Sequence, residues 1–395
     1  MSLANGHPYL AIPGPSTMPD RVLAAMHRPA PNIYEGALPE MVETLWPDLR
    51  NLAGTAENMA LYIANGHGTW EAANANLFSR GDKALVLATG RFGHGWAESA
   101  ARMGVEVELL DFGTATPPDL NRVEAALRAD RDHRIKAVLA THVDTSSSVK
   151  THVPGLRAQL DTVGHPALLA IDCIASMGCD EYRMDAWGVD VTVAASQKGL
   201  MTPPGMGFVW FSENARARCA ASDLRSPYWD WTARADASEF WQYWAGTAPT
   251  HHLFGLREAL NMIAEEGLPQ VWARHAALAR AVWAAFDAWG AGNAEIALNI
   301  ADPAARGHSV TAARLGAPHA GRLREWTEAK AGVTLGVGLG MTPADGWLRV
   351  AHMGHVNAHM TLGALAVMDA GLKALGVAHG DGALAAAARV VAEAA

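Results

Sequence analysis

Two residues stand where an ordinary core would not tolerate them. Lys198 follows the apolar run Val189 to Ala194 and the polar pair Ser196-Gln197. Low-dielectric walls disfavour an ammonium, and the free amine is nucleophilic toward an aldehyde. Asp172 closes the apolar run Ala167-Leu168-Leu169-Ala170-Ile171. A lone carboxylate there is costly unless it meets a positive partner. A protonated pyridine nitrogen supplies one and keeps its ring a strong electron sink. Gly66, His67 and Gly68 sit between a strand and a helix start, where backbone N–H groups and the helix dipole would hold a dianionic phosphate. Phe92 could stack on a flat ring, and Thr145-Ser146-Ser147 offers hydroxyls.

These residues need a frame that gathers them. Short apolar runs alternate with amphipathic stretches from about residue 60. Strands are expected at Leu61–Ala64, Ala84–Ala88, Val105–Leu110, Ala137–Ala140, Ala167–Ile171, Val189–Ala194 and Gly207–Phe211. Helices are expected between them, at Trp70–Phe78, up to Met103, Leu120–Arg128 and Val153–Val163. This alternation predicts an α/β fold with a mainly parallel sheet, covered by helices on both faces. In such a sheet ligands bind at the carboxyl ends of the strands, where the residues above fall. Residues 1 to 20, with Pro13-Gly14-Pro15, read as a loop-like arm. A large domain is expected over 21 to 264. A smaller α+β domain is expected over 265 to 395, with a strand at Leu348-Arg349-Val350.

Each residue also has a plainer reading. A lysine after a strand is usually solvated, and an Asp at a strand end is more often a cap. His67 alone reads as structural, and Thr145 to Ser148 as a polar loop. His251-His252 and His352 with His355 have metal-like spacing, but no carboxylate or Cys completes a ligand set, so no metal is expected. The net charge of -9, without a basic block, argues against nucleic acid. Cys173, Cys179 and Cys219 form no C-x-x-C and no disulfide framework, which suggests a reducing, cytoplasmic compartment. No signal peptide or membrane-spanning run is expected.

Taken together, Ile171 to Gly178, Ser196-Gln197-Lys198-Gly199-Leu200 and Pro203-Pro204-Gly205 resemble the class V aminotransferases of pyridoxal-phosphate (PLP) fold type I, in the alanine/serine/aspartate–glyoxylate group. Pro13-Gly14-Pro15, Gly66 to Glu71 and Leu348 to Gly354 fit the same pattern. The resemblance implies a seven-stranded large-domain sheet and PLP held by Lys198 as a Schiff base. It implies that Asp172 pairs with the pyridine nitrogen. Gln197, His67 and Gly68 would lie at the cofactor or its phosphate, Phe92 on its ring, and Ser146 near its ring hydroxyl. Thr247 would reach the phosphate of a neighbouring subunit's cofactor, which implies a homodimer with shared sites. Arg349 would clamp the substrate α-carboxylate. Where relatives often read Asp-His-Arg-Ser, this chain has Asn32-Ile33-Tyr34-Glu35, so Tyr34 and Glu35 would shape the side-chain side of the substrate pocket. Trp244 stands where a Tyr is common.

The implied reaction is a ping-pong transamination. An amino group moves from a small amino acid of the serine, alanine or aspartate type to glyoxylate or pyruvate, with Lys198 as proton carrier. A pyridoxamine–pyruvate type enzyme and another class V lyase remain alternatives. A cysteine desulfurase would need a reactive late Cys, yet none follows Cys219. A nucleotide-binding dehydrogenase would need a Gly-x-Gly-x-x-Gly turn, which Asn65 to Trp70 does not supply. A non-catalytic binding protein on the same scaffold would take up cofactor without turnover.

Overall fold

The computed structural model describes residues 2 to 395. Twelve strands build two sheets: β1 Tyr9–Ala11, β2 Asn58–Tyr62, β3 Lys83–Ala88, β4 Glu106–Asp111, β5 Ile135–Thr141, β6 Leu168–Asp172, β7 Val191–Ala195, β8 Gly207–Phe211, β9 Ala297–Leu298, β10 Val310–Arg314, β11 Val333–Val337 and β12 Trp347–Ala351. The larger sheet has seven strands in the order β2-β8-β7-β6-β5-β3-β4. Its neighbours run parallel except at β8, which is antiparallel to β2 and β7. This is the mainly parallel sheet expected from the alternating pattern.

The reason lies in the period-two partition of side chains. Leu85 and Leu87 of β3 enter one hydrophobic cluster, whereas Ala84 and Val86 enter another. In β5, Val138 and Ala140 part from Ala137 and Leu139 in the same way. Phe208 and Trp210 of β8 part from Val209 and Phe211. Both faces are therefore dry, and helices such as Gly66–Leu77, Arg91–Arg102 and Val153–Val163 connect the strands.

The second sheet is β1-β11-β12-β10-β9 and packs on a third cluster around Phe286, Leu323, Leu348 and Leu365. Its first strand corrects the loop reading of the N-terminus: Tyr9–Ala11 pairs in parallel with Val333–Leu335. Three residues are too few to show a period, and the prolines that follow mask them. A second correction concerns the Gly66–Thr69 turn, which is the first turn of a helix rather than a break. The Asn65 side chain caps that helix by accepting from His67 N (3.1 Å) and Gly68 N (3.3 Å). Among the described residues, no helix is long and apolar enough to cross a membrane.

β6 lies at the centre of the larger sheet, and Leu169 within it is fully buried. Leu169→Ala should cost about 2–5 kcal/mol of stability through lost packing and the cavity left behind. Denaturant unfolding measures it, and a loss within error of zero would mean that this core repacks freely.

Candidate active site

The strand ends converge as the parallel sheet requires. Asp172 ends β6, in register with Thr141 of β5 and Val193 of β7. Lys198 follows β7 by three residues. A cavity of about 250 Å³ is lined by both, together with Asn65, Gly66, His67, Trp70, Phe92, Val143, Thr145, Ile174 and Gln197. A larger cleft of about 740 Å³, around Lys150, Asp180, Trp187 and Trp272, contains neither Lys198 nor Asp172. Both hold an amine and a carboxylate, but Lys150 is partly exposed and ion-paired with Asp180 at 3.7 Å, whereas Lys198 and Asp172 are both buried, and that singles out the smaller one.

Asp172 is 4% exposed. Its Oδ1 accepts from Ile174 N at 2.7 Å and its Oδ2 from the Trp70 indole N–H at 2.9 Å. Both donors are neutral. Burial outweighs them and lifts the carboxyl from 3.8 to about 7. Trp70 was not singled out from sequence, because a tryptophan in a helix reads as core. It is core as well: its ring stacks on Trp96, with centroids 6.1 Å apart.

Lys198 is also buried. Burial, then the charge of Arg349, lower its amine from 10.5 to about 8, against the pull of Asp172. Its Nζ donates to Pro13 O. The N-terminal strap holds the rest of the loop: Ser16 Oγ donates to Lys198 O at 2.7 Å, and Ser16 N donates to Gln197 O at 2.9 Å. Gly14 has φ +99°, and a Cβ there would lie 2.5 Å from Lys198 Nζ. Only glycine lets the strap cross so closely.

The remaining expected residues divide. Gly66, His67, Phe92 and Gln197 line the cavity with the Lys–Asp pair. Gln197 Oε1 is buried and has no partner among the described residues. Gly68 lies one residue outside the lining, and its N–H, with that of His67, is already taken by Asn65. Ser146 does not line the cavity: its Oγ donates to Asp144 Oδ1 at 2.6 Å and accepts from Arg91 N at 2.9 Å. Arg349 is buried, with Nε donating to Val337 O (2.8 Å) and Nη1 to Thr145 O (3.0 Å). It is lowered to about 10 by burial, so it stays a cation at neutral pH. Tyr34, Glu35 and Thr247 are exposed on the single chain. Trp244 is buried against Phe240 and Tyr243, with Nε1 unpartnered among the described residues.

A flat, aldehyde-bearing pyridine suits these groups. The carboxylate lacks a bound cation among the described residues, the amine is partly unprotonated near neutrality, and Gln197 Oε1 awaits a donor. The Aminotransferase class-V family model matches residues 9–339 of the chain. The chain belongs to the class V aminotransferases. It is 34% identical to the serine–glyoxylate aminotransferase of Methylorubrum extorquens, over 93% of each chain. It is 33% identical to the L-aspartate–glyoxylate aminotransferase of Paracoccus denitrificans, over 93% of this chain and 91% of that one. Two solved structures show the same fold at 24% identity. Pyridoxamine–pyruvate aminotransferase from Mesorhizobium loti has a TM-score of 0.90 and both chains fully covered. Ureidoglycine–glyoxylate aminotransferase from Bacillus subtilis has a TM-score of 0.88 over 99% of this chain and 100% of that one. This class V aminotransferase is thus a fold type I enzyme.

The Asp172 shift has a measurable consequence. The carboxyl holds its proton to about 7 when folded but ionises near 3.8 when unfolded. Between those values the folded state binds more protons. The stability from this group is full below about pH 4 and is lost as pH rises toward 7, by at most about 1.4 kcal/mol per unit. Asp172→Asn should flatten that slope in cofactor-free protein unfolded with urea at several pH values. A slope the substitution leaves unchanged would show that Asp172 is ordinary in the folded chain.

Proposed function

We infer that this enzyme is a PLP-dependent transaminase acting on small amino acids of the serine, alanine or aspartate type, with glyoxylate or pyruvate as acceptor. The observation that carries the reading is the pair of buried ionisable groups, Lys198 and Asp172, on one small cavity. The activities of the 33–34% identical relatives support the choice of glyoxylate and of small donors.

When bound, PLP supplies the aldehyde that takes up an amine and a ring that withdraws electrons from the substrate Cα. The chain's own residues do the rest. Asp172 would face the ring nitrogen, and its Trp70 and Ile174 donors keep the carboxylate from rotating. Lys198 would hold the cofactor and, once released, carry the proton from the substrate Cα as general base, then return it as acid. Its lowered basicity suits both halves of that task near neutral pH. Phe92 would cover the ring face. Gln197, His67 and the N-terminus of helix Gly66–Leu77 would sit at the phosphate end, with Asn65 yielding its two N–H groups. Arg349 would receive the α-carboxylate through Nη2, for which no protein acceptor stands among the described residues.

The exposure of Thr247, Tyr34 and Glu35 suits residues completed by a second copy, and we read the enzyme as a homodimer with shared sites. The three buried free cysteines fit a reducing cytoplasm. We retain the division into an arm (1–20), a large domain (21–264) and a small domain (265–395). The arm's strand serves the small domain's sheet. The fold match to a pyridoxamine–pyruvate enzyme keeps the free vitamer as a second reading of the substrate.

The test is an amino-donor panel of serine, alanine, aspartate and pyridoxamine, with glyoxylate and pyruvate as acceptors. Wild type should turn over a small amino acid with glyoxylate or pyruvate. Lys198→Ala should lose at least about 10²–10⁴-fold in kcat, the weight of a general base. Turnover of no amino acid by PLP-loaded wild type, with pyridoxamine consumed, would select the second reading. Undiminished kcat in Lys198→Ala would overturn the assignment of the amine.

A further inference from the structure

The helix Arg91–Arg102 carries Phe92 into the site, yet it does not cap itself. Its N-cap is Gly90, which has no side chain. Its first N–H groups are taken by a segment more than fifty residues away. Asp144 Oδ2 accepts from Phe92 N at 2.9 Å and from Gly93 N at 3.1 Å. Ser146 Oγ accepts from Arg91 N at 2.9 Å. Asp144 Oδ1 accepts from Ser146 N at 2.9 Å and from Ser146 Oγ at 2.6 Å. Gly90 must be glycine for this reason: a Cβ there would lie 2.6 Å from Asp144 Cγ and 2.7 Å from Ser146 Oγ.

Asp144 is fully buried, and all four donors to its oxygens are neutral. A carboxylate saturated in this way, at the positive end of a helix, is held by oriented dipoles rather than by an ion pair. The segment it locks has a second role. Thr145, between Asp144 and Ser146, lines the cavity, and its carbonyl receives Arg349 Nη1 at 3.0 Å. Phe92 belongs to the layer around the larger sheet, and Arg349 to β12 of the second sheet. Asp144 is the junction between them.

Resting on the transaminase reading above, we propose that Asp144 is a positioning residue: it fixes the distance between the ring of Phe92 and the Thr145–Arg349 pair. It thereby sets the tilt of the bound cofactor relative to the substrate carboxylate. It touches neither and is not a catalytic residue. Asp144→Asn keeps the shape but offers one acceptor oxygen in place of two, so an amide NH₂ must face two N–H or O–H donors. The walls then lose their common anchor, and displacements of about 1 Å in such settings cost up to about 10²-fold.

The experiment compares wild type, Asp144→Asn and the control Asp130→Asn. Asp130 is a loop carboxylate that accepts from Arg134 N and Ile135 N away from the cavity. Three readouts are taken: PLP affinity of the cofactor-free protein, the visible circular-dichroism band of bound PLP, and KM against kcat for the amino donor. Asp144→Asn should bind PLP about tenfold more weakly, change the amplitude or sign of the band, and raise KM about tenfold. Asp130→Asn should change only the unfolding temperature. An Asp144→Asn protein with the wild-type band and KM, altered only in unfolding temperature, would overturn the proposal. Should that variant not fold, amide hydrogen exchange on wild type decides: protected Phe92 and Gly93 amides support the role, and rapidly exchanging ones refute it. Wild type that takes up no PLP would instead overturn the transaminase reading on which the proposal rests.

Discussion

Everything in this molecule answers to the cost of holding an amine and a carboxylate out of water at the ends of neighbouring strands. Neither Lys198 nor Asp172 is comfortable: burial pushes one down to about 8 and the other up to about 7. The two shifts bring both groups near neutrality from opposite sides. Such pairs of environments mark sites that move protons. The chain keeps them there with neutral hydrogen bonds, from Trp70 and Ile174 to the carboxylate and from the lysine to the Pro13 carbonyl.

The frame explains how that cost is met. β5, β6 and β7 are largely apolar on both faces, Thr192 being paired with the Tyr182 hydroxyl at 2.6 Å, so polar side chains gather at their carboxyl ends. The second sheet closes the site from the other side. It supplies Arg349 from β12, and through β1 it leads the chain into the Pro13–Ser16 strap. Both the lysine and the guanidinium that depresses it therefore depend on how the two sheets meet.

Much of this was legible in the residues. The seven runs became the seven strands of the large sheet: the inner ones because a run dry on both faces has few other ways to fold, and the partly exposed β4 as the edge that pairs with β3. Lys198 and Asp172 could be picked out since charge at the end of such a run needs a reason. Other features were hidden. Asn65 reads as a loop residue until its side chain is seen capping the helix that begins one residue later. Trp70 reads as core, which conceals its N–H on Asp172. Asp144 lies in a polar stretch that looks like any loop, and the helix N–H groups it accepts from are some fifty residues away. Ser146 carries the hydroxyl expected of a site residue but spends it on that cap. Tyr34, Glu35 and Thr247 face solvent on one chain, so their expected roles came from family resemblance rather than from local chemistry.

The most direct measurement is a crystal structure of the protein soaked with PLP. The account predicts continuous density from Lys198 Nζ into the cofactor, with the ring nitrogen within about 3 Å of the Asp172 carboxylate. Cofactor attached to another lysine, or a ring whose nitrogen lies beyond hydrogen-bonding reach of Asp172, would contradict it.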